Sequence, residues 1–239
     1  WEAPLVTSNI CNSKCLGCLS LQENSCIASH QRIKFTPKAN EIFEVAYNHL
    51  KTAKEAIVSF GQGCEGEPLL RTPLIIDAIK MIRKKTNKGT IHMNTNASLP
   101  EYISKLADAG LDSIRVSLNS LQEKFYKAYF NPQGYKFKDT LKSIQIAKSK
   151  DLQVAINLLV FPGFTDNENE IKALEKFLKN YPIDMIQLRN LNIDPQLYQN
   201  KLGQLKGASL GILRLVNILK TNFPKIKLGY FNEKKGLNL

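Results

Sequence analysis

The stretch Ser113-Ile114-Arg115-Val116-Ser117-Leu118-Asn119 decides the fold that we predict for this chain. Its apolar residues alternate with polar ones, so in a β-strand the two sets lie on opposite faces. A doubly wound sheet is covered by helices on both faces, and its strands are nearly continuous apolar runs. The alternation therefore predicts a curved sheet with helices on its apolar outer face and a polar interior.

Five other stretches alternate in the same way or are short and apolar, and helical patterns separate them. They are residues 5–10, 56–61, 90–96, 154–161 and 185–191. We expect a capping box at 98–101 to begin one helix, Gly110 to end it, and a second box at 165–168. Strands that are separated by helices along the chain predict a parallel sheet. The predicted class is α/β: a partial, open (β/α)6 TIM-like barrel with a short C-terminal helix–strand extension at 209–221 and 226–230.

The composition indicates one substantial core. Of the 239 residues, 43% are hydrophobic, and we expect residues 1–193 to form the barrel and residues 194–239 to pack on it within the same domain. No apolar run approaches the roughly eighteen residues that cross a bilayer, so no membrane partner is expected. The net charge of +12 indicates attraction to acidic surfaces, although the dispersed lysines fit solvated helix faces better than one nucleic-acid groove.

Three of the five cysteines, Cys11, Cys15 and Cys18, lie within eight residues. Three thiolates can hold three corners of a cubane iron–sulfur cluster and leave the fourth iron open to activate a ligand. The spacing matches neither the four regular cysteines of an electron carrier nor the two pairs of a zinc site. The alternative is three thiols of a reduced protein without metal. An odd cysteine count argues against a disulfide framework and predicts a cytoplasmic location.

This motif resembles that of the radical S-adenosylmethionine (radical SAM) enzymes, which carry Cys-x3-Cys-x2-Cys after the first strand of an α/β barrel. Gly-Glu-Pro at residues 66–68 and Asn-Thr-Asn at residues 94–96 extend the likeness over about residues 4 to 192. Two positions depart from the family pattern. Gly17 stands where an aromatic residue is frequent, and Glu65 stands where a second glycine is common.

The resemblance implies a [4Fe–4S] cluster on Cys11, Cys15 and Cys18, with S-adenosylmethionine on the fourth iron. It implies reductive cleavage to a 5′-deoxyadenosyl radical that abstracts hydrogen from a substrate, and an electron donor such as flavodoxin or ferredoxin. Gly66 permits close backbone approach and Glu67 offers a carboxylate to the cofactor's ammonium group, although a structural turn explains Gly66 equally well. The residues expected to bind the cofactor are Gly66, Glu67, Asn94, Asn96, Ser117, Asn119, Asn157 and Arg189.

Several residues have two interpretations. Arg189, inward on the sixth strand, either grips a carboxylate or phosphate or makes a structural salt bridge. His92 is expected to be a hydrogen-bonded interior residue. Cys26 is either a fourth cluster ligand, which would close the iron, or a small buried residue. Cys64 is either a catalytic hydrogen-atom donor or redox sensor, or again a buried thiol.

The substrate does not follow from the sequence, and a small molecule, a peptide and an RNA are all candidates. Two other functions stay open. One is an activase that makes a glycyl radical on a partner protein. The other is a non-catalytic iron–sulfur electron-transfer or sensor protein. No second cysteine cluster follows Cys64, so we expect no auxiliary iron–sulfur site.

Overall fold

A computed structural model describes residues 1–21, 28–63, 65–203 and 205–235, and within them it contains one sheet of seven parallel strands in sequence order. The strands are β1 (Glu2–Leu5), β2 (Ile57–Phe60), β3 (Thr90–Thr95), β4 (Ser113–Leu118), β5 (Gln153–Val160), β6 (Met185–Asn190) and β7 (Lys227–Gly229). The order is linear, with β1 and β7 at the two edges. The predicted open, partial α/β barrel is confirmed.

Helices connect the strands. They are α1 (Ala39–Thr52), α2 (Thr72–Lys85), α3 (Pro100–Ala109), α4 (Glu123–Phe130), α5 (Phe137–Ser149), α6 (Glu168–Asn180), α7 (Pro195–Leu202) and α8 (Ile212–Asn222), with a 3-10 turn at Pro68–Arg71. Among these described helices, none combines the length and the hydropathy that a membrane-spanning segment needs.

The main core lies between the sheet and the helices. Ile114 and Val116 of β4 are fully buried in the same apolar cluster as Ile79 of α2 and Ile103 of α3. Burying one such side chain contributes about 1.5–3 kcal/mol. The apolar residues of each alternating strand thus form the outer face of the sheet, under the helices. The polar residues line the inside.

The inner face of the sheet is polar and hydrogen-bonded. His92 of β3 places Nδ1 2.7 Å from Ser113 Oγ and Nε2 3.2 Å from Asn94 Oδ1. Burial lowers the pKa of His92 to about 3, and the positive charge of Arg115 adds to this effect. The imidazole is therefore neutral at ordinary pH. His92 is the hydrogen-bonded interior residue that the sequence predicted.

The residues after β7 cross the amino ends of the strands. Gln187 Nε2 donates to Asn232 Oδ1 at 3.0 Å, and Asn232 Nδ2 donates to Glu2 Oε1 at 2.8 Å. Lys235 N donates to the hydroxyl of Thr90, the first residue of β3, at 3.0 Å. β7 itself extends the open edge beside β6. The extension therefore lengthens the sheet and also contacts the interior of the barrel.

The predicted position of the first strand was wrong. We expected residues 5–10, whereas β1 covers Glu2–Leu5. The cause is a contact with a distant residue: the N–H groups of Thr7 and Ser8 donate to the Glu65 carboxylate at 2.7 and 2.8 Å. Buried N–H groups need a partner, and here a side chain replaces the neighbouring strand.

The predicted capping boxes were also wrong in detail. Leu99 is the N-cap of α3, and the hydroxyl of Ser98 instead accepts a hydrogen bond from Asn12 Nδ2 at 2.9 Å. At the second position Asn167 is the N-cap of α6. Gly110 ends α3 in the left-handed conformation, with φ 113°, as predicted. The Ser98 hydroxyl thus bonds to the loop after β1 and does not cap the helix.

Candidate cluster and cofactor site

Cys11, Cys15 and Cys18 lie on the loop after β1, at the carboxyl edge of the sheet. Burial raises the pKa of Cys11 to about 11, with smaller contributions in the same direction from the Glu67 carboxylate and the Cys18 thiol. Burial also raises the pKa of Cys15, with added effects from the other two thiols. The three sulfurs are therefore close enough to affect one another electrostatically. A bound cationic metal centre would stabilise the thiolates that burial disfavours.

The spacing of the thiols bears on which metal centre they fit. In the part of the chain that the structure describes, no three His, Cys, Asp or Glu side chains are arranged to hold a single metal ion. One tetrahedral zinc ion requires its sulfur ligands about 2.3 Å from a common point. A cubane presents a separate iron to each thiolate, so its ligands are spread more widely. In number, the three cysteines match a cubane that is held by one thiolate at each of three irons.

Gly66 fixes the cysteine loop to the turn after β2. Gly66 N donates to Ser8 O at 2.7 Å, and Glu67 N donates to Ile10 O at 2.8 Å. A Cβ at position 66 would lie 1.9 Å from Ile10 O, so only glycine allows this approach. The contact positions the residue that directly precedes Cys11.

The end of α4 supports the other side of the same loop. Leu16 N donates to Tyr129 O at 2.9 Å, and Gln133 N donates to Asn12 O at 2.9 Å. A Cβ at Gly17 would lie 2.8 Å from the Tyr129 hydroxyl. The radical SAM pattern frequently has an aromatic residue at this position. An aromatic side chain at position 17 would fit here only if the Tyr129 side chain moved.

Glu67 is buried, and both of its carboxylate oxygens accept hydrogen bonds from the protein. The donors are Leu69 N at 3.1 Å, Thr95 Oγ1 at 2.5 Å and Asn96 N at 2.8 Å. Desolvation raises the pKa of Glu67 to about 7 in spite of these donors. Glu67 therefore joins the turn after β2 to the end of β3, beside the cysteine loop.

Asn94 and Asn96 are buried and also have protein partners. Asn94 Nδ2 donates to Phe60 O at 3.0 Å. Asn96 Nδ2 donates to Asn12 Oδ1 at 2.8 Å and to Ser13 Oγ at 3.0 Å. Asn96 thus ties the cysteine loop to the carboxyl end of β3, while Asn94 lies deeper in the barrel.

A cavity of about 460 Å³ lies against the cysteine loop and brings together residues that are distant in sequence. Cys15 and Cys18 line it together with three of the predicted cofactor residues, Ser117 of β4, Asn157 of β5 and Arg189 of β6. Asn157 Oδ1 is buried without a hydrogen-bond partner among the described residues. The polar residues at the carboxyl ends of these strands therefore face the predicted cluster ligands.

The other predicted cofactor residues, Gly66, Glu67, Asn94, Asn96 and Asn119, are not part of the lining of this cavity. Asn119 is fully buried, and its Nδ2 donates to Phe125 O at 3.1 Å. Cys26 and Cys64 lie outside the described residues. Their assigned roles stay predictions.

Two arginines at the site were missed as site residues from the sequence. Arg115 lines the cavity, and its place on the polar face of β4 was the available signal. Arg32 places Nη2 3.7 Å from Cys18 Sγ and also donates to Ser20 Oγ at 3.1 Å. No pattern in the sequence marked Arg32.

A loop of three grouped thiols at the carboxyl edge of an open parallel barrel defines a class of iron–sulfur enzymes. A model of the radical SAM superfamily matches residues 5–174, and the chain belongs to this superfamily. It is therefore an enzyme of the radical SAM class, with a [4Fe–4S] cluster and S-adenosylmethionine as cofactors. The resemblance inferred from the cysteine motif is confirmed.

Two relatives indicate the range of similarity. An uncharacterised protein of Methanocaldococcus jannaschii is 30% identical over 236 residues, which cover 90% of this chain and 77% of the relative. The GTP 3′,8-cyclase of Petrotoga mobilis is 32% identical over 190 residues, which cover 79% of this chain and 50% of the cyclase. The chain thus spans about half the length of this cyclase.

Solved structures share the fold. Methylornithine synthase superposes with a TM-score of 0.64 at 13% identity, over 95% of this chain and 63% of the synthase. Native anSMEcpe with bound AdoMet superposes with a TM-score of 0.60 at 19% identity, over 82% of this chain and 52% of that one. At these identities the likeness concerns the barrel alone.

Proposed function

We propose that this protein cleaves S-adenosylmethionine reductively and uses the resulting 5′-deoxyadenosyl radical to abstract hydrogen from a substrate held in the cavity. The observation that carries the proposal is that Cys15 and Cys18 line the same cavity as Ser117, Asn157 and Arg189. When bound, the cluster and the cofactor supply the electron transfer and the radical. The protein binds and orients the reactants and excludes water.

The residues of the cavity have separate tasks in this proposal. Ser117 and Asn157 offer a hydroxyl and an amide to the polar parts of the cofactor. For the other residues expected from the sequence to bind it, contact with the cofactor stays a prediction: they are Gly66, Glu67, Asn94, Asn96 and Asn119. Glu67 and Asn96 also keep the cysteine loop in register with β3, through the hydrogen bonds described above. Leu118, Tyr129 and Phe130 form an apolar part of the wall and limit access of water.

The test is anaerobic reconstitution with iron and sulfide, followed by addition of dithionite and S-adenosylmethionine. We expect 5′-deoxyadenosine and methionine by mass spectrometry, and neither product when reductant or cluster is omitted. A protein that carries four irons per chain and still forms no 5′-deoxyadenosine contradicts the proposal. Replacing Cys26 with alanine addresses the electron-carrier alternative, in which this residue closes the fourth iron and its loss changes the cluster spectrum.

We further propose that a small acidic electron carrier, flavodoxin or ferredoxin, docks on the outside of the cysteine loop. Cys15 and Cys18 also line a second cleft of about 300 Å³, together with Lys14, Lys201 and Leu197. Leu197 is 46% exposed. Lysines around an exposed leucine suit an acidic partner with a small apolar contact, and the cleft gives it short access to two cluster ligands.

A charge reversal at Lys201 tests this docking surface. We expect Lys201→Glu to slow cluster reduction by flavodoxin about tenfold at low salt, because electrostatic steering sets the association rate. Reduction by dithionite should be unchanged. Lys54→Glu is the matched control, since exposed Lys54 precedes β2 at the opposite end of the sheet. Stopped-flow absorbance measures both rates, and equal slowing by the two variants would exclude this surface as the docking site.

We infer a cytoplasmic location from the chemistry of the ligands. Grouped thiols that hold a metal centre persist in a reducing compartment, and the electron carriers proposed as partners are found there. The division into a barrel core at 1–193 and an extension at 194–239 in the same domain likewise stays our proposal.

A further inference from the structure

Two arginines share the cavity beside the cluster cysteines. Arg115 reaches it from β4 and Arg189 from β6. Within the described residues, neither makes an ion pair with a carboxylate. The salt bridge that the sequence allowed for Arg189 is therefore not formed there. Two cations that share a cavity without a carboxylate partner repel each other.

Arg115 is positioned by neutral amides. Its Nη1 donates to Gln187 Oε1 at 2.6 Å, and Gln187 is held in turn by Asn232, which is held by Glu2. Glu2 acts on Arg115 only at longer range: burial and the charge of Arg189 lower the pKa of Arg115 to about 10, and Glu2 opposes this shift. The guanidinium is thus oriented without being neutralised by direct contact with an acid.

Two hydrogen-bonding groups of the cavity residues lack partners among the described residues. Arg115 Nε and Asn157 Oδ1 are both buried, and neither has a partner in the described part of the chain. Both residues line the cavity. An unmet donor and an unmet acceptor on one cavity wall cost about 1–3 kcal/mol each unless a ligand or water meets them.

Arg189 is oriented by an aromatic ring. Its guanidinium carbon lies 4.1 Å from the ring centroid of Tyr230, the residue directly after β7. Stacking fixes the plane of the guanidinium and leaves its N–H edge available for bidentate contact with an anion. The C-terminal extension thereby contributes to the cavity.

We propose that Arg115 and Arg189 together bind a doubly charged anionic group of the substrate, such as a phosphate, inside this cavity. The proposal rests on the radical SAM function proposed above and adds the class of substrate. A phosphate dianion balances the two positive charges and accepts several N–H bonds from guanidinium groups. Arg189, which the sequence assigned to the cofactor, is here assigned to the substrate.

The test measures binding of inorganic pyrophosphate to the reconstituted protein saturated with S-adenosylmethionine, by isothermal titration calorimetry. We expect Arg115→Gln and Arg189→Gln each to weaken pyrophosphate binding about tenfold or more, while the affinity for S-adenosylmethionine stays unchanged. The control is Arg214→Gln, which removes one exposed positive charge from α8 and should leave both affinities unchanged.

Three results would overturn the proposal. The wild-type protein could fail to bind pyrophosphate. The arginine variants could lose affinity for S-adenosylmethionine instead, which would make the cofactor carboxylate the ligand of the pair. Arg214→Gln could weaken pyrophosphate binding as much as the cavity variants, which would indicate general attraction to a basic protein.

Two further measurements separate this role from structural support. Without ligand, Arg189→Gln should melt close to the temperature of the wild type, because the relief of like-charge repulsion offsets the loss of the contact with Tyr230; a clearly lower melting temperature would indicate a structural arginine. Arg189→Lys should recover part of the lost affinity. Formation of 5′-deoxyadenosine is assayed separately. If pyrophosphate binding depends on the two arginines but no 5′-deoxyadenosine forms, the proposed reaction is refuted and the anion site is retained.

Discussion

A Cys15→Ser variant is expected to lose its iron–sulfur cluster and with it the formation of 5′-deoxyadenosine. Removing one of three thiolates leaves two protein ligands for a cluster that needs three. Loss of an outer-shell partner of a metal site already costs roughly 10- to 100-fold, so loss of a direct ligand should lower product formation by about a hundredfold or more. Iron and sulfide content per chain, the absorbance of the reconstituted protein and product quantification measure the effect.

The matched control is Cys26→Ser, which makes the same atomic change outside the three-cysteine motif. If the fourth iron is open, this variant should keep the cluster, its absorbance and product formation. Full iron content in Cys15→Ser would disprove the assigned ligand set. Loss of the cluster in Cys26→Ser would instead identify a fourth protein ligand, and the proposed reaction would then lack its open iron.

The alternation in β4 predicted a sheet with one apolar face, which suits a sheet covered on one side only. The other five strand patterns and the helical patterns between them completed the prediction of the architecture. Most strand limits followed to within one or two residues, since local composition ends a strand. β1 was the exception. The contact of the Glu65 carboxylate with Thr7 and Ser8 joins residues 57 and 58 positions apart, and no local pattern contains it.

The cofactors were predictable where one motif carries the chemistry. The grouping of Cys11, Cys15 and Cys18 predicted an iron–sulfur cluster, which the match to the superfamily supports, while the assignment of these three residues as its ligands stays a prediction. The roles of Arg115 and Arg189 were not predictable in the same way. Their proximity depends on the curvature of the sheet, and the support of Arg115 depends on the extension returning Asn232 to the barrel interior through Gln187.

Gly66→Ala should be among the most damaging single substitutions in the chain. The added Cβ would lie 1.9 Å from Ile10 O and 2.4 Å from its carbonyl carbon, both backbone atoms. Overpacking typically costs about 1–3 kcal/mol, and a backbone obstacle cannot rotate away, so we expect the upper end of this range or more. Because Ile10 precedes Cys11, the displaced backbone should also lower cluster content. Urea denaturation of the reconstituted protein and its iron content measure the two effects.

Gly134→Ala separates this steric effect from the general cost of replacing a glycine. Gly134 has φ +82° and no atom within 4 Å of the added Cβ, so the variant pays only for a left-handed alanine, about 1–2 kcal/mol, and should keep full iron content. Equal denaturation midpoints and equal iron content in the two variants would mean that the loop accommodates the methyl group. A Gly66→Ala protein that is nearly as stable as Gly134→Ala but has lost iron would show that the contact serves cluster geometry more than folding. That outcome would mean that the main role of the Gly-Glu-Pro turn is to hold Cys11 beside Cys15 and Cys18. The turn can do so because it is hydrogen-bonded to the backbone of residues 8 and 10 in the cysteine loop.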